Sequence, residues 1–131
     1  MGNRLLFVYG TLLQGERNHR LLSRSPRLGE GWTRPVFRLV DLGAYPALVD
    51  GGSVAVRGEV YKIDELTLAR VDKLEGHPTY YRRRTLELAD GRRVETYLLP
   101  AVEAEGCPQI FSGDWRVRVE RARAQPQSSD S

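Results

Sequence analysis

Several residue types are scarce in this 131-residue chain, and each shortage excludes a class of protein. There is one cysteine, Cys107, which excludes an internal disulfide and argues against a metal site built from cysteines. There are two histidines, His19 and His77, so we predict no metal site of any kind. No apolar run is long enough to cross a bilayer, and the sequence therefore predicts no membrane partner.

The chain also lacks a large excess of charge of either sign. The 20 Lys and Arg residues stand against 17 Asp and Glu residues, for a net charge of +3. That balance gives no argument for nucleic-acid binding; only the isoelectric point of about 9.3 favours it, and salt-dependent retention on heparin would test it. Because cysteine is scarce and a strand-like run follows Met1 closely, we expect no leader peptide and a cytoplasmic location.

The length and composition are those of one ordinary domain. The 40% hydrophobic and 28% charged contents are typical of a globular protein, and 131 residues can bury a core without metals or disulfides. We expect one domain over residues 1–120. Residues 121–131 are rich in Arg, Ala, Gln and Ser and are predicted to be a disordered tail.

The N-terminal segments predict a strand, a glycine-bounded loop and a short helix. Contiguous apolar residues indicate a strand over 4–9, glycines bound the loop 10–15, and Asn18 could cap a helix over 19–22. Loops of this kind can point backbone N–H groups outward and form anion-binding nests. An extended segment with a break at Pro35 follows over 27–42, and then a loop over 43–48.

The remaining strands have clear local signals. Residues 54–63 alternate in character, and the mid-strand glycine, Gly58, indicates a bulge or a close approach of backbone. Residues 80–89 and 93–99 flank Asp90-Gly91, a pair that favours a β-hairpin turn. A short final strand is predicted over 116–119.

A helix over residues 64–76 carries the acid that we expect to do chemistry. Asp64 is a good N-cap residue, and Gly76 stands where helices end in a positive φ. Leu68, Val71 and Glu75 share one face, so burial of the two apolar residues draws Glu75 toward the core. Burial and the negative helix end both raise the pKa of a carboxyl group, which suits a general acid or base. The alternative is that Glu75 lies at the rim and pairs with an arginine.

Taken together, these segments resemble the γ-glutamylcyclotransferase superfamily, in particular its γ-glutamylamine cyclotransferase and AIG2-like branch. The resemblance runs from about residue 5 to residue 115, and the order and spacing of four motifs make it specific. The motifs are Tyr-Gly-Thr-Leu at 9–12 with Asn-His at 18–19, Tyr-Pro at 45–46, Gly-Glu-Val-Tyr at 58–61, and the acidic helix end at 72–76 followed by Tyr81.

The resemblance implies an α+β fold, a small mixed β-barrel with a few short helices. It also implies a reaction in which the α-amine of a γ-glutamyl compound attacks its own γ-carbonyl, releasing 5-oxoproline and an amine without a cofactor or metal. Glu75 falls at the position of the family's catalytic glutamate. The other implied site residues, which would bind the substrate, are Tyr9, Gly10, Thr11, Leu12, Tyr45 and Tyr81.

Two interpretations of function stay open at this point. One is an active cyclotransferase with a small γ-glutamyl substrate. The other is an inactive AIG2-like domain that binds a metabolite or a protein partner, against which the presence of Glu75 argues. Neither the leaving amine nor the choice between monomer and homodimer follows from the sequence.

Overall fold

A computed structural model describes residues 4–118 of the chain. It contains a mixed β-sheet, one α-helix and two short 3₁₀ helices, which confirms the predicted α+β class. In chain order the elements are β1 (Arg4–Val8), the first 3₁₀ helix (His19–Leu22), β2 (Arg27–Trp32), β3 (Phe37–Asp41), β4 (Pro46–Asp50), β5 (Arg57–Ile63), α1 (Glu65–Glu75), β6 (Arg82–Glu87), β7 (Arg93–Leu98) and the second 3₁₀ helix (Ala101–Ala104).

The sheet branches at β7, because two strands share one edge of β7, and we call this branch point the fork. Its strand order is β2-β5-β1-β7-β4-β3, and β6 pairs antiparallel with β7 along the whole of that strand. Both β1 and β4 run parallel to β7 and must share its other edge. Leu6 of β1 pairs with Glu95, and Leu48 of β4 pairs with Leu98, so the two strands separate where β1 ends and β4 begins.

This fork corrects the expectation of a barrel, because the sheet is not closed. The order of strands leaves β2 and β3 at its two ends. An isolated bridge between Thr33 and Leu88 connects the segments that follow β2 and β6, which is a point contact rather than a ladder. The two arms that diverge from β7 bury a common core, whose fully buried members include Leu6, Leu39, Leu48 and Val60.

The predicted helix is confirmed at both ends. The Asp64 side chain accepts a hydrogen bond from the Thr67 N–H at 2.8 Å, and Gly76 ends the helix at φ 71°. Leu68 and Val71 are buried. The helix packs against the first 3₁₀ helix. No helix within residues 4–118 is long and apolar enough to cross a membrane.

The mid-strand glycine and the hairpin also follow the predictions. A Cβ on Gly58 would lie 2.3 Å from the Val8 carbonyl oxygen, which is the close backbone approach expected there. The turn between β6 and β7 falls at Asp90-Gly91, with Gly91 at φ 93°.

Two sequence predictions of local structure were wrong. The predicted loop over 43–48 ends early, because Pro46 begins β4; proline lacks an N–H and is tolerated at the first residue of a strand. The predicted strand over 116–119 is instead the start of a helical turn as far as residue 118. There the Asp114 side chain accepts the Arg116 N–H, and the Asp114 carbonyl accepts from Val117. The tail predicted over 121–131 lies outside the described residues.

Candidate active site

A cavity of about 240 Å³ opens at the fork, where β1 ends and β4 begins. All seven predicted site residues line it, namely Tyr9, Gly10, Thr11, Leu12, Tyr45, Glu75 and Tyr81. The sequence prediction missed other lining residues, which include Arg17, Asn18, Pro46, Leu74, Tyr80 and Tyr97. The cavity is smaller than the range of roughly 300–1,000 Å³ that is usual for small-molecule sites, so it suits a small ligand.

Glu75 is the last residue of α1, and its carboxylate faces the cavity half-buried. No arginine or lysine within residues 4–118 pairs with it, so the alternative of a rim ion pair does not hold there. Burial raises the pKa of Glu75 from its ordinary value of 4.5 to about 7. A carboxyl group in this state can both take and give a proton near neutral pH.

The tyrosines around Glu75 have their hydroxyl protons engaged elsewhere. Tyr9 donates to the Tyr97 carbonyl at 2.6 Å and accepts from the Leu48 N–H at 3.1 Å, which bridges the fork. Tyr81 donates to the Pro46 carbonyl at 2.6 Å. Burial raises the pKa of both Tyr9 and Tyr81 far above the ordinary value. The Tyr9 and Tyr81 hydroxyl groups therefore position the cavity lining and do not exchange protons near neutral pH. Glu75 is the lining residue suited to that exchange.

The loop after β1 contributes three consecutive residues to the cavity lining. The N–H groups of Gly10, Thr11 and Leu12 have no acceptor among the described residues, although all three residues line the cavity. Asn18 fixes the loop, because its N–H donates to the Thr11 carbonyl and its side chain to Thr11 Oγ1, each at 2.9 Å. The arrangement can receive an anion.

His19 holds the same loop from outside the cavity. Its Nδ1 lies 2.9 Å from the Leu12 carbonyl oxygen, and its ring lies 5.6 Å from that of Tyr61. Within residues 4–118 no three His, Cys, Asp or Glu side chains lie close enough together to hold a metal ion.

Gly10 is required by a contact that the sequence did not show. A Cβ at this position would lie 2.6 Å from Cδ of Pro46. Glycine therefore lets the loop after β1 lie against the first residue of β4, and Pro46 itself is held by Tyr81.

Asp72 anchors the end of α1, one turn before Glu75. It accepts a hydrogen bond from the Tyr97 hydroxyl at 2.5 Å and forms an ion pair with Arg83. Tyr97 and Arg83 belong to β7 and β6, so these contacts attach the helix end to the hairpin. Asp72 belongs to the acidic motif at 72–76, but the sequence did not show that Tyr97 and Arg83 are its partners, so this anchoring role could not be predicted.

The cavity mouth includes partly exposed apolar and aromatic side chains. Leu74 and Tyr80 are 43% and 37% exposed, and the Tyr45 and Tyr80 hydroxyls lie 3.2 Å apart. Their rings meet edge to face at 6.5 Å. Tyr80 follows α1 by a few residues, and no periodic pattern marked it as a site residue.

Several known proteins resemble this chain. Residues 6–117 match the family described as "Gamma-glutamyl cyclotransferase, AIG2-like". A Vibrio cholerae protein named "Putative gamma-glutamylcyclotransferase" is 48% identical over 120 residues, which cover 88% of this chain and 97% of that protein. The "Gamma-glutamylcyclotransferase family protein YtfP" of Escherichia coli K12 is 34% identical over 114 residues, which cover 86% of this chain and 96% of YtfP.

A solved structure shows the same fold. The crystal structure of a mouse AIG2-like protein superposes with a TM-score of 0.76 at 29% identity, and the match covers 87% of this chain and 90% of the mouse chain. Since the family match spans nearly all of the described residues, the chain belongs to the γ-glutamyl cyclotransferase, AIG2-like family.

Proposed function

We propose that this protein is a cyclotransferase that cleaves γ-glutamyl amides to 5-oxoproline and a free amine. The observation that carries the proposal is the Glu75 carboxylate, which faces the cavity without an ion-pair partner in residues 4–118 and has its pKa raised to about 7 by burial. Family membership supports the same reaction class. An internal nucleophile explains why no serine or cysteine nucleophile is needed, because the substrate's own α-amine attacks.

The proposed reaction begins with proton removal. The substrate α-amine is an ammonium ion at neutral pH, and the Glu75 carboxylate takes one of its protons. The free amine attacks the γ-carbonyl carbon and forms the new C–N bond of the lactam. As the old amide C–N bond breaks, Glu75 returns its proton to the departing nitrogen. The second proton lost by the attacking nitrogen goes to the same leaving nitrogen, which departs as an ammonium ion.

The remaining site residues would hold the substrate folded for this attack. The N–H groups of Gly10, Thr11 and Leu12 would bind the α-carboxylate, because these residues line the cavity and their N–H groups have no acceptor in the described part of the chain. The rings of Tyr9, Tyr45 and Tyr81 would enclose the methylene chain. Fixing the chain in a near-attack geometry supplies much of the rate enhancement in such intramolecular reactions.

The test is an assay of 5-oxoproline with a panel of γ-glutamyl compounds, each also prepared with its α-amine acetylated. We expect 5-oxoproline from the free compounds and no product from the acetylated ones, at any pH. Release of amine from an acetylated compound would mean that water attacks and that the protein is a hydrolase. Binding of the panel without turnover would favour the inactive metabolite-binding domain.

The predicted cytoplasmic location is part of the proposal, and it rests on the scarcity of cysteine.

A further inference from the structure

Arg17 is the charged group of the cavity that the proposed reaction does not use. Among the described residues that line the cavity, only Arg17 and Glu75 carry charged side chains. Arg17 is exposed, and no carboxylate within residues 4–118 forms an ion pair with its guanidinium group. Arg4 and Arg27, by contrast, do pair with glutamates. A guanidinium group at the mouth of a site is well suited to bind a carboxylate.

The loop holds Arg17 at a defined place. The next residue, Asn18, makes two hydrogen bonds to Thr11, which ties the end of the loop back to its beginning. Earlier in the loop, the Gln14 N–H donates to the buried Glu59 carboxylate at 2.9 Å. Arg17 is therefore carried by a fixed segment beside residues 10–12 and not by a free loop tip.

The parts of a γ-glutamyl substrate can be assigned to the cavity in turn. In the proposed function, the α-carboxylate binds the N–H groups of residues 10–12 and the α-amine lies at Glu75. The γ-amide then directs its nitrogen substituent, which is the leaving amine, toward the mouth. The mouth is formed by the exposed Arg17 and by the partly exposed apolar side chains of Leu74 and Tyr80.

We propose that Arg17 determines specificity for the leaving group by binding a carboxylate on it. Preferred substrates are then γ-glutamyl conjugates of α-amino acids with apolar side chains, which place the carboxylate on Arg17 and the side chain on Leu74 and Tyr80. Amines without a carboxylate are poorer substrates. This inference rests on the proposed function, since it assigns the substrate class of the same site.

A matched pair of substrates isolates the carboxylate. γ-Glutamyl-leucine and γ-glutamyl-3-methylbutylamine differ only in the carboxylate of the leaving group. We expect kcat/KM to be about fivefold to tenfold higher for the leucine compound, the scale of a charged pair at a partly exposed site. The preference should shrink as salt is added, because the pair is near solvent.

Variants of Arg17 then test the assignment. Arg17→Gln should bring the two substrates to equal kcat/KM by raising KM for γ-glutamyl-leucine, and Arg17→Lys should keep part of the preference. Arg24→Gln removes the same charge from an exposed residue outside the cavity lining and should keep the full preference.

The outcomes separate this inference from the proposed function. If 5-oxoproline is released equally from both substrates, the inference is wrong and the cyclotransferase reaction stands. A parallel rise of KM for both substrates in Arg17→Gln would place the α-carboxylate on Arg17 and also overturn the inference. If neither substrate gives 5-oxoproline, the proposed function fails and the inference fails with it.

Discussion

At the scale of single residues, Glu75 is set apart by its isolation. Most acidic side chains of the described region are engaged by arginines, as Asp50 is by Arg84 and Asp72 by Arg83. Glu75 has no such partner within residues 4–118, and burial alone accounts for its raised pKa. A carboxylate kept in this state costs stability, which is typical of functional sites.

Replacing Glu75 with glutamine should therefore separate activity from stability. Glu75→Gln keeps the shape of the side chain but cannot carry a proton, so we expect kcat to fall by about a hundredfold or more. The melting temperature should hold or rise, because the charge of a half-buried carboxylate with no ion-pair partner in residues 4–118 is removed. Glu65→Gln, at the exposed start of the same helix, is the matched control and should leave kcat unchanged. Turnover of Glu75→Gln within a few-fold of the wild type would remove Glu75 from the mechanism.

The pH dependence of activity follows from the same pKa. Since burial raises the pKa of Glu75 to about 7, its base form develops as the pH rises through neutrality, and kcat/KM should increase from acid to mildly alkaline pH. The substrate ammonium titrates in the same profile, so the acid limb belongs to both groups. A profile that is flat between pH 6 and pH 8, in ~0.5-unit steps, would contradict this.

The pH dependence of stability has the opposite sign. A folded-state pKa of about 7 against an ordinary 4.5 means that the native state holds an extra proton between these values. The contribution of Glu75 to the free energy of unfolding therefore falls as the pH rises through this interval. The difference in melting temperature between Glu75→Gln and the wild type should widen in favour of the variant on going from pH 5 to pH 8. A constant difference would mean that Glu75 titrates normally.

At the scale of elements, the site depends on how the loop after β1 lies against β4. The two segments are joined by the Tyr9 hydroxyl, which bonds to the Leu48 N–H, and by the contact of Gly10 with Pro46. The loop after β1 and the start of β4 therefore hold each other in place at the cavity. The backbone N–H groups at residues 10–12 are thus positioned by β4 as well as by their own loop.

A double-mutant cycle tests this contact. Gly10→Ala places a methyl group against the Pro46 ring and should lower the free energy of unfolding by about 1–3 kcal/mol, with a higher KM as the loop moves away. Gly10→Val should lower the free energy of unfolding and raise KM further, because its side chain is larger. Pro46→Ala removes the obstructing ring, so the combination Gly10→Ala/Pro46→Ala should recover part of the loss, as measured by urea unfolding. Strictly additive effects would show that some other contact requires glycine at residue 10.

At the scale of the whole molecule, Glu59 connects parts of the chain that are far apart in sequence. Its side chain is 2% exposed; it accepts from the Gln14 N–H at 2.9 Å and the Tyr61 hydroxyl at 3.0 Å, and it lies 3.4 Å from Arg27. Burial by itself would raise the pKa of Glu59, but the hydrogen bonds from Gln14 and Tyr61, together with Arg27, lower it. Arg116, near the end of the described region, also bonds to the Gln14 carbonyl and to Glu16.

Removing this buried acid should destabilise the fold strongly. Glu59→Ala leaves the Gln14 N–H and the Tyr61 hydroxyl without their acceptor, so we expect a loss of about 3–5 kcal/mol in the free energy of unfolding. Glu30→Ala breaks the more exposed pair with Arg57 and should cost about 0–1 kcal/mol. Equal losses in the two variants, measured by chemical denaturation, would show that Glu59 has no special structural role.

The sequence by itself determined the features that depend on neighbouring residues. The limits of α1 follow from the Asp64 cap and the positive φ of Gly76, and the hairpin follows from Asp90-Gly91. The spacing of Glu75 from Val71 placed its side chain on the inner face of the helix. The resemblance to a family then supplied the other predicted cavity residues, since its motifs fall on segments that meet there.

Only the tertiary structure decided how these segments meet. The division of one edge of β7 between β1 and β4 turned a predicted loop into a strand beginning at Pro46 and left the sheet open instead of forming a barrel. It also brought Arg17 and Tyr97 to the cavity and left Glu75 without a partner in residues 4–118. Strand pairing and burial join residues that are distant along the chain, and the pattern of neighbouring residues carries no record of such contacts.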